Sequence, residues 1–102
     1  MDAATKRRVR FIIVQLVYEK HERQEHRFND VLLAGGLARL KYDIHVNMVR
    51  TLLQDLFDRG LVSYEEMKDS ESGKVSIDKI KLTPEGRTLV EDNERNPLAE
   101  VK

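Results

Sequence analysis

Between His45 and Gln54 the chain alternates apolar residues with hydrogen-bonding ones. Val46, Val49, Leu53 and Leu56 recur at helical spacing, which leaves His45, Asn47, Arg50, Thr51 and Gln54 for the opposite face. A guanidinium and two side-chain amides can each make paired hydrogen bonds to a planar edge, so the chemistry on offer is recognition. A second set is cationic. Lys68, Lys74, Lys79 and Lys81, with Arg27, suit an anionic backbone such as a row of phosphates. Against this, Asp69 and Glu71 interrupt the lysines, and lysines on strand edges also deter aggregation without any ligand. The densest basic group is Lys6, Arg7, Arg8 and Arg10. Cations are unfavourable at a helix N-terminus, so this group reads as a solvated, frayed end, with a grip on phosphates as the competing reading.

Other chemistry finds little footing. His21 and His26 stand five apart in a polar connector and His45 is remote from both, so neither spacing nor neighbours make a metal set. Gly35-Gly36 lacks the lysine and hydroxyl residue of a phosphate-binding loop and reads as close helix packing. There is no cysteine, which removes disulfides and thiolate catalysis. No serine, histidine and carboxylate group has a spacing that demands a triad. The expectation is a protein that is not an enzyme and holds no metal or cofactor.

With 102 residues, 40% hydrophobic and 35% charged, the composition is that of one folded globular domain. Eighteen basic groups balance eighteen acidic ones, so attraction to nucleic acid must come from how charge is distributed. The longest apolar run, Phe11-Ile12-Ile13-Val14, is far too short for a membrane span, and a cytoplasmic location is the default expectation. A domain over 1–92 and a flexible tail over 93–102 are the expected division.

Helix formers from Ala4 to about Lys20 carry Val9, Ile12, Ile13, Leu16 and Val17 on one stripe, with Phe11, Val14 and Tyr18 beside it. Such a helix is central or pressed against a second subunit. Asn29 can cap a short second helix through Val31, Leu32, Leu33, Leu37 and Leu40. The third runs from His45 or Val46 to Arg59, with Leu52, Leu56 and Phe57 on its apolar face and Gly60 as its stop. Leu61–Met67 and Val75–Leu82 then read as a hairpin around Asp69–Gly73. Val75 and Ile77 have opposite parity to Ile80 and Leu82, which predicts a bulge near Asp78-Lys79. Thr83-Pro84-Glu85 opens a fourth helix to about Asp92, and a short extra strand is expected at His26–Phe28.

This order resembles the winged helix-turn-helix family: α+β, mostly helical, with three helices, a β-hairpin wing and a C-terminal helix. The resemblance rests on Val46 through Val49-Arg50-Thr51-Leu52-Leu53-Gln54-Asp55-Leu56 to Arg59-Gly60-Leu61-Val62, and on Leu82-Thr83-Pro84-Glu85-Gly86-Arg87. Within the family the chain is similar to small proteins of Mu-like prophages grouped with arsenic-repressor-type regulators, although it lacks the cysteines of the metal sensors. The resemblance implies a bacterial or prophage transcriptional regulator that binds double-stranded DNA. His45, Asn47, Arg50, Thr51 and Gln54 would then face base edges, with Arg27, Lys68, Lys74, Lys79 and Lys81 near the backbone. A homodimer built on the first helix and Leu98-Ala99-Glu100-Val101 would set two such helices on successive DNA turns. The alternative is a winged-helix module that binds protein within a phage or larger complex.

Overall fold

The computed structural model describes residues 2–22 and 28–95, beginning with α1 (Ala3–Glu22). Asp2 caps this helix, its Oδ1 accepting from the Thr5 amide at 2.7 Å, and that bond holds the carboxyl below its ordinary pKa. The end expected to fray is therefore tied down. Val9, Phe11, Ile13, Val14 and Val17 are buried, and α1 packs against α2 (Asp30–Arg39), α3 (Val46–Asp58) and the later elements. Of the two sites expected for its apolar excess, α1 occupies the central one. Leu98 and Val101, invoked for a dimer, lie outside the described residues, as do His26, Arg27 and the remainder of the tail beyond Arg95.

Asn29 caps α2 as expected, accepting from the Leu32 amide at 2.8 Å. Leu33 and Leu37 are buried beneath it, and Gly36 faces Leu16 of α1, where a Cβ would make an ordinary van der Waals contact at 3.4 Å, so close helix packing does not require glycine there. The turn to α3 closes through the Leu37 carbonyl, which accepts from the Tyr42 amide at 2.9 Å. His45 is the N-cap of α3, its Nδ1 accepting from the Asn47 amide at 3.1 Å. Val49, Leu52, Leu53 and Leu56 are fully buried. Phe57 is not part of that face: it is 47% exposed, with its ring tilted against Tyr64 at 5.1 Å.

Gly60 ends α3 with φ +73°, a conformation that costs glycine no steric penalty. Its amide reaches the Phe57 carbonyl at 2.9 Å and the Leu61 amide reaches Leu56 at 3.0 Å, a paired closure of the last turn. The chain then forms β1 (Val62–Lys68) and β2 (Val75–Leu82), an antiparallel hairpin. Ser63 pairs with Lys81 but Glu65 pairs with Asp78, so Tyr64 faces two residues of β2. This is the predicted bulge, with Lys79 at φ +52°. It turns Ile77 and Ile80 onto the same buried face despite their opposite parity. The expected strand at His26–Phe28 falls mostly outside the described residues. Phe28 itself is not in a strand, although its carbonyl accepts from the Ile80 amide at 3.1 Å.

Helix α4 (Pro84–Arg95) is longer than the expected stop at Asp92. Its cap residue Thr83 accepts from the Gly86 amide at 3.1 Å and donates its hydroxyl to the Gly60 carbonyl at 2.6 Å. The end of α3 and the start of α4 are thereby one knot. A Cβ on Gly86 would lie 2.1 Å from the Leu61 carbonyl oxygen, which is backbone and cannot swing aside. Gly86→Ala should therefore cost about 1 to 3 kcal/mol, as overpacking does. Gly35→Ala, where a Cβ meets nothing within 4 Å, should instead stabilise α2 by about 0.5 to 1 kcal/mol. Urea unfolding of the two variants tests the opposite signs, and equal signs would contradict the packing described.

Candidate functional site

The exposed side of α3 carries Asn47, Thr51 and Gln54, with Arg50 half-buried between them. The capping role of His45 commits its Nδ1 to the backbone. Arg50 is the member whose setting differs most from the expectation of a free outward side chain. Its Nε donates to Asp30 Oδ2 at 2.6 Å and its Nη1 donates to Asn47 Oδ1 at 3.1 Å. Asp30 is 1% exposed, at the first turn of α2. The same Oδ2 accepts from the Ile77 amide of β2 at 3.2 Å, and Oδ1 accepts from the Val31 amide at 2.8 Å. One buried carboxylate thus joins α2, α3 and the hairpin. Its signal in the sequence was its phase: Asp30 shares a helical stripe with Leu33 and Leu37.

Further along α3 the polar groups are bound to their neighbours. Thr51 Oγ1 donates to the Asn47 carbonyl at 3.1 Å. Gln54 Nε2 donates to Asp58 at 3.0 Å while its Oε1 accepts from the Tyr64 hydroxyl at 3.0 Å. Burial, with Glu66 and Asp58 adding to it, raises the Tyr64 pKa, so the hydroxyl stays a donor. Gln54 therefore braces α3 against β1.

The hairpin lysines divide. Lys79 sits in the bulge and pairs across the strands with Glu65 at 3.3 Å. Lys68 and Lys74 are exposed together near the tip, where Lys68 is paired with Val75. Lys81 is exposed at the base, opposite Ser63, on the order of 17 Å away by strand rise. The hairpin lysines thus fall at its two ends, with Lys79 paired between them. At the tip, the Glu71 amide on Asp69 Oδ1, and then the Ser72 hydroxyl, hold the Asp69 carboxyl below its ordinary range. The lysine pair thus has an anion beside it.

The N-terminal basic group is also dispersed. Arg10 is buried and lies 3.6 Å from Asp55 of α3, while Arg8 Nε donates to the Tyr42 hydroxyl at 3.3 Å. Arg7 Nε and Arg10 Nε are buried without a hydrogen-bond partner among the described residues. Arg10 departs from the expected solvated end, whereas Arg8 is exposed and Lys6 and Arg7 are half-buried. Arg10 stands in phase with Val14 and Val17, which is why it is carried inward. Among the described residues, no three metal-ligating side chains cluster and no helix is long and apolar enough to cross a membrane.

Among the described residues, fold and site together define an α+β arrangement of four helices and one antiparallel hairpin, with a polar helix face beside that hairpin. No known family model matches the chain, and no curated protein matches it.

Proposed function

We propose that this arrangement is a winged helix-turn-helix domain that binds double-stranded DNA sequence-specifically, as a transcriptional regulator of bacterial or prophage type. In this reading α3 enters the major groove and the hairpin is the wing. The observation that carries it is the α3 face, where Asn47, Arg50 and Thr51 sit side by side at the exposed N-terminal half, next to a hairpin bearing Lys68 and Lys74 at its tip. Amide and guanidinium side chains pair with adenine and guanine edges. The tip lysines have no ion pair to a described residue and are suited to phosphates.

The test separates the two kinds of contact. Arg50→Ala should weaken a cognate duplex by about 5- to 150-fold, the equivalent of 1 to 3 kcal/mol, and relax one base position. Lys68→Ala and Lys74→Ala should weaken all duplexes alike and flatten the salt dependence. Lys81→Ala, at the far end of the hairpin, should do neither. Anisotropy titrations against cognate and scrambled duplexes distinguish these outcomes, and identical behaviour of all four variants would refute the assignment.

A second reading, a module that binds protein, is favoured by a different observation. From α3 through β2, Arg50, Arg59, Lys68, Lys74, Lys79 and Lys81 are outnumbered by Asp55, Asp58, Glu65, Glu66, Asp69, Glu71 and Asp78. Phe57 and Met67, within the same stretch, are large apolar side chains left exposed. Failure of every duplex to bind would move the assignment there.

A further inference from the structure

We infer that Asp30 is a positioning residue that sets Arg50 to read one guanine, an inference that rests on the DNA-binding reading above. Arg50 has five N–H donors. Nε is taken by Asp30 and one donor of Nη1 by Asn47, so three remain uncommitted to any described residue, two of them on Nη2. An edge formed by the two Nη groups is what pairs with guanine O6 and N7 in the major groove. The side chain is 30% exposed, so the guanidinium bridges from a buried carboxylate to the helix surface.

A free arginine on a helix must give up much rotamer freedom to dock on a base, and a planar fork already held loses less. Asp30 supplies that hold without freedom of its own. Its carboxylate is fixed by the Val31 and Ile77 amides, so the guanidinium is referenced to both α2 and β2. Asp30 also neutralises Arg50 toward phosphates, which turns the residue from a general anion binder into a reader of a planar edge. Asn47 adds the second constraint, because its Oδ1 occupies an Nη1 donor and so ties the far end of the guanidinium to α3 itself.

The experiment selects from a duplex pool with a randomised core, using wild type, Arg50→Ala and Asp30→Asn. Wild type should select guanine at one position and Arg50→Ala should lose that preference. Asp30→Asn, shown folded by circular dichroism, should lose it by about tenfold, within the span expected of a bidentate base contact. Its preferences at other positions should stay as in wild type and its salt dependence should steepen, because the guanidinium is no longer neutralised toward phosphates, a pair of changes that a merely structural role would not produce. If folded Asp30→Asn keeps the guanine preference, the positioning role is overturned while the DNA reading stands. If wild type shows no base preference or no binding, the DNA reading fails and the inference falls with it. Should Asp30→Asn not fold, nitrogen-15 spectra of the wild-type Arg50 guanidinium decide the matter. The Nε proton should remain protected from exchange both free and bound to the selected duplex, and loss of that protection on binding would overturn the inference.

Discussion

Asp30→Ala should lower the free energy of unfolding by about 3 kcal/mol, near the bottom of the range for breaking a buried ion pair from one side. Several losses combine. The Ile77 amide, in a buried part of β2, is left without its acceptor, and an unsatisfied buried donor costs about 1 to 3 kcal/mol. The Val31 amide loses its acceptor at the start of α2, and Arg50 loses its partner. The estimate stays at the low end because Arg50 is 30% exposed and its guanidinium can regain water. A double-mutant cycle with Arg50→Ala should give a coupling above about 1 kcal/mol, whereas the exposed Lys79–Glu65 pair should give less than about that. Urea denaturation measures both, and equal couplings for the two pairs would show that the buried carboxylate is not the junction described.

Leu53→Ala should cost about 2 to 5 kcal/mol, and Leu56→Ala the same, through lost transfer energy and the cavity left behind. Both side chains have no exposure and lie in the cluster that includes Ile13, Val14 and Val17 of α1. The upper half of the range applies where the surroundings cannot collapse. Here α3 is fixed at its start by the His45 cap and at its end by the Gly60 closure, so it cannot slide to fill the space. Equilibrium unfolding monitored by circular dichroism tests the value, and a loss below about 0.5 kcal/mol, typical of surface sites, would mean that α3 packs by another face.

What was legible in the sequence was governed by local rules. The N-cap at Asn29, the stop at Gly60 and the cap at Thr83 each depend on side chains within a few residues, and each stands where the residue types place it. The bulge was legible because a break in parity between Ile77 and Ile80 leaves a half-buried hairpin no other way to keep both inside. The misplacements concern charged residues on apolar stripes. Arg10 was expected in solvent and Asp30 was not singled out, yet both carry the phase of buried positions. Their partners, Asp55 and Arg50, are distant in sequence, and no local pattern announces them. The candidate face was accordingly legible in position but not in state: Arg50, Gln54 and Lys79 were expected to be free, and each is engaged with a neighbour. The aromatic contact that holds Phe57 at the surface against Tyr64 escaped for the same reason, since it joins a helix end to a strand after a chain reversal.

The proposal that this fold grips DNA through α3 and the tip of its hairpin is tested most directly by titrating labelled duplex DNA at about 50 and 200 mM salt. Two phosphate contacts, from Lys68 and Lys74, imply a log–log slope near −1.8, hence a loss of affinity of about twelvefold across that interval. Wild type should show at least that loss, and Lys68→Ala/Lys74→Ala should have a slope shallower by about 1.8. Absence of binding at the lower salt, or binding indifferent to salt in wild type, would contradict the account.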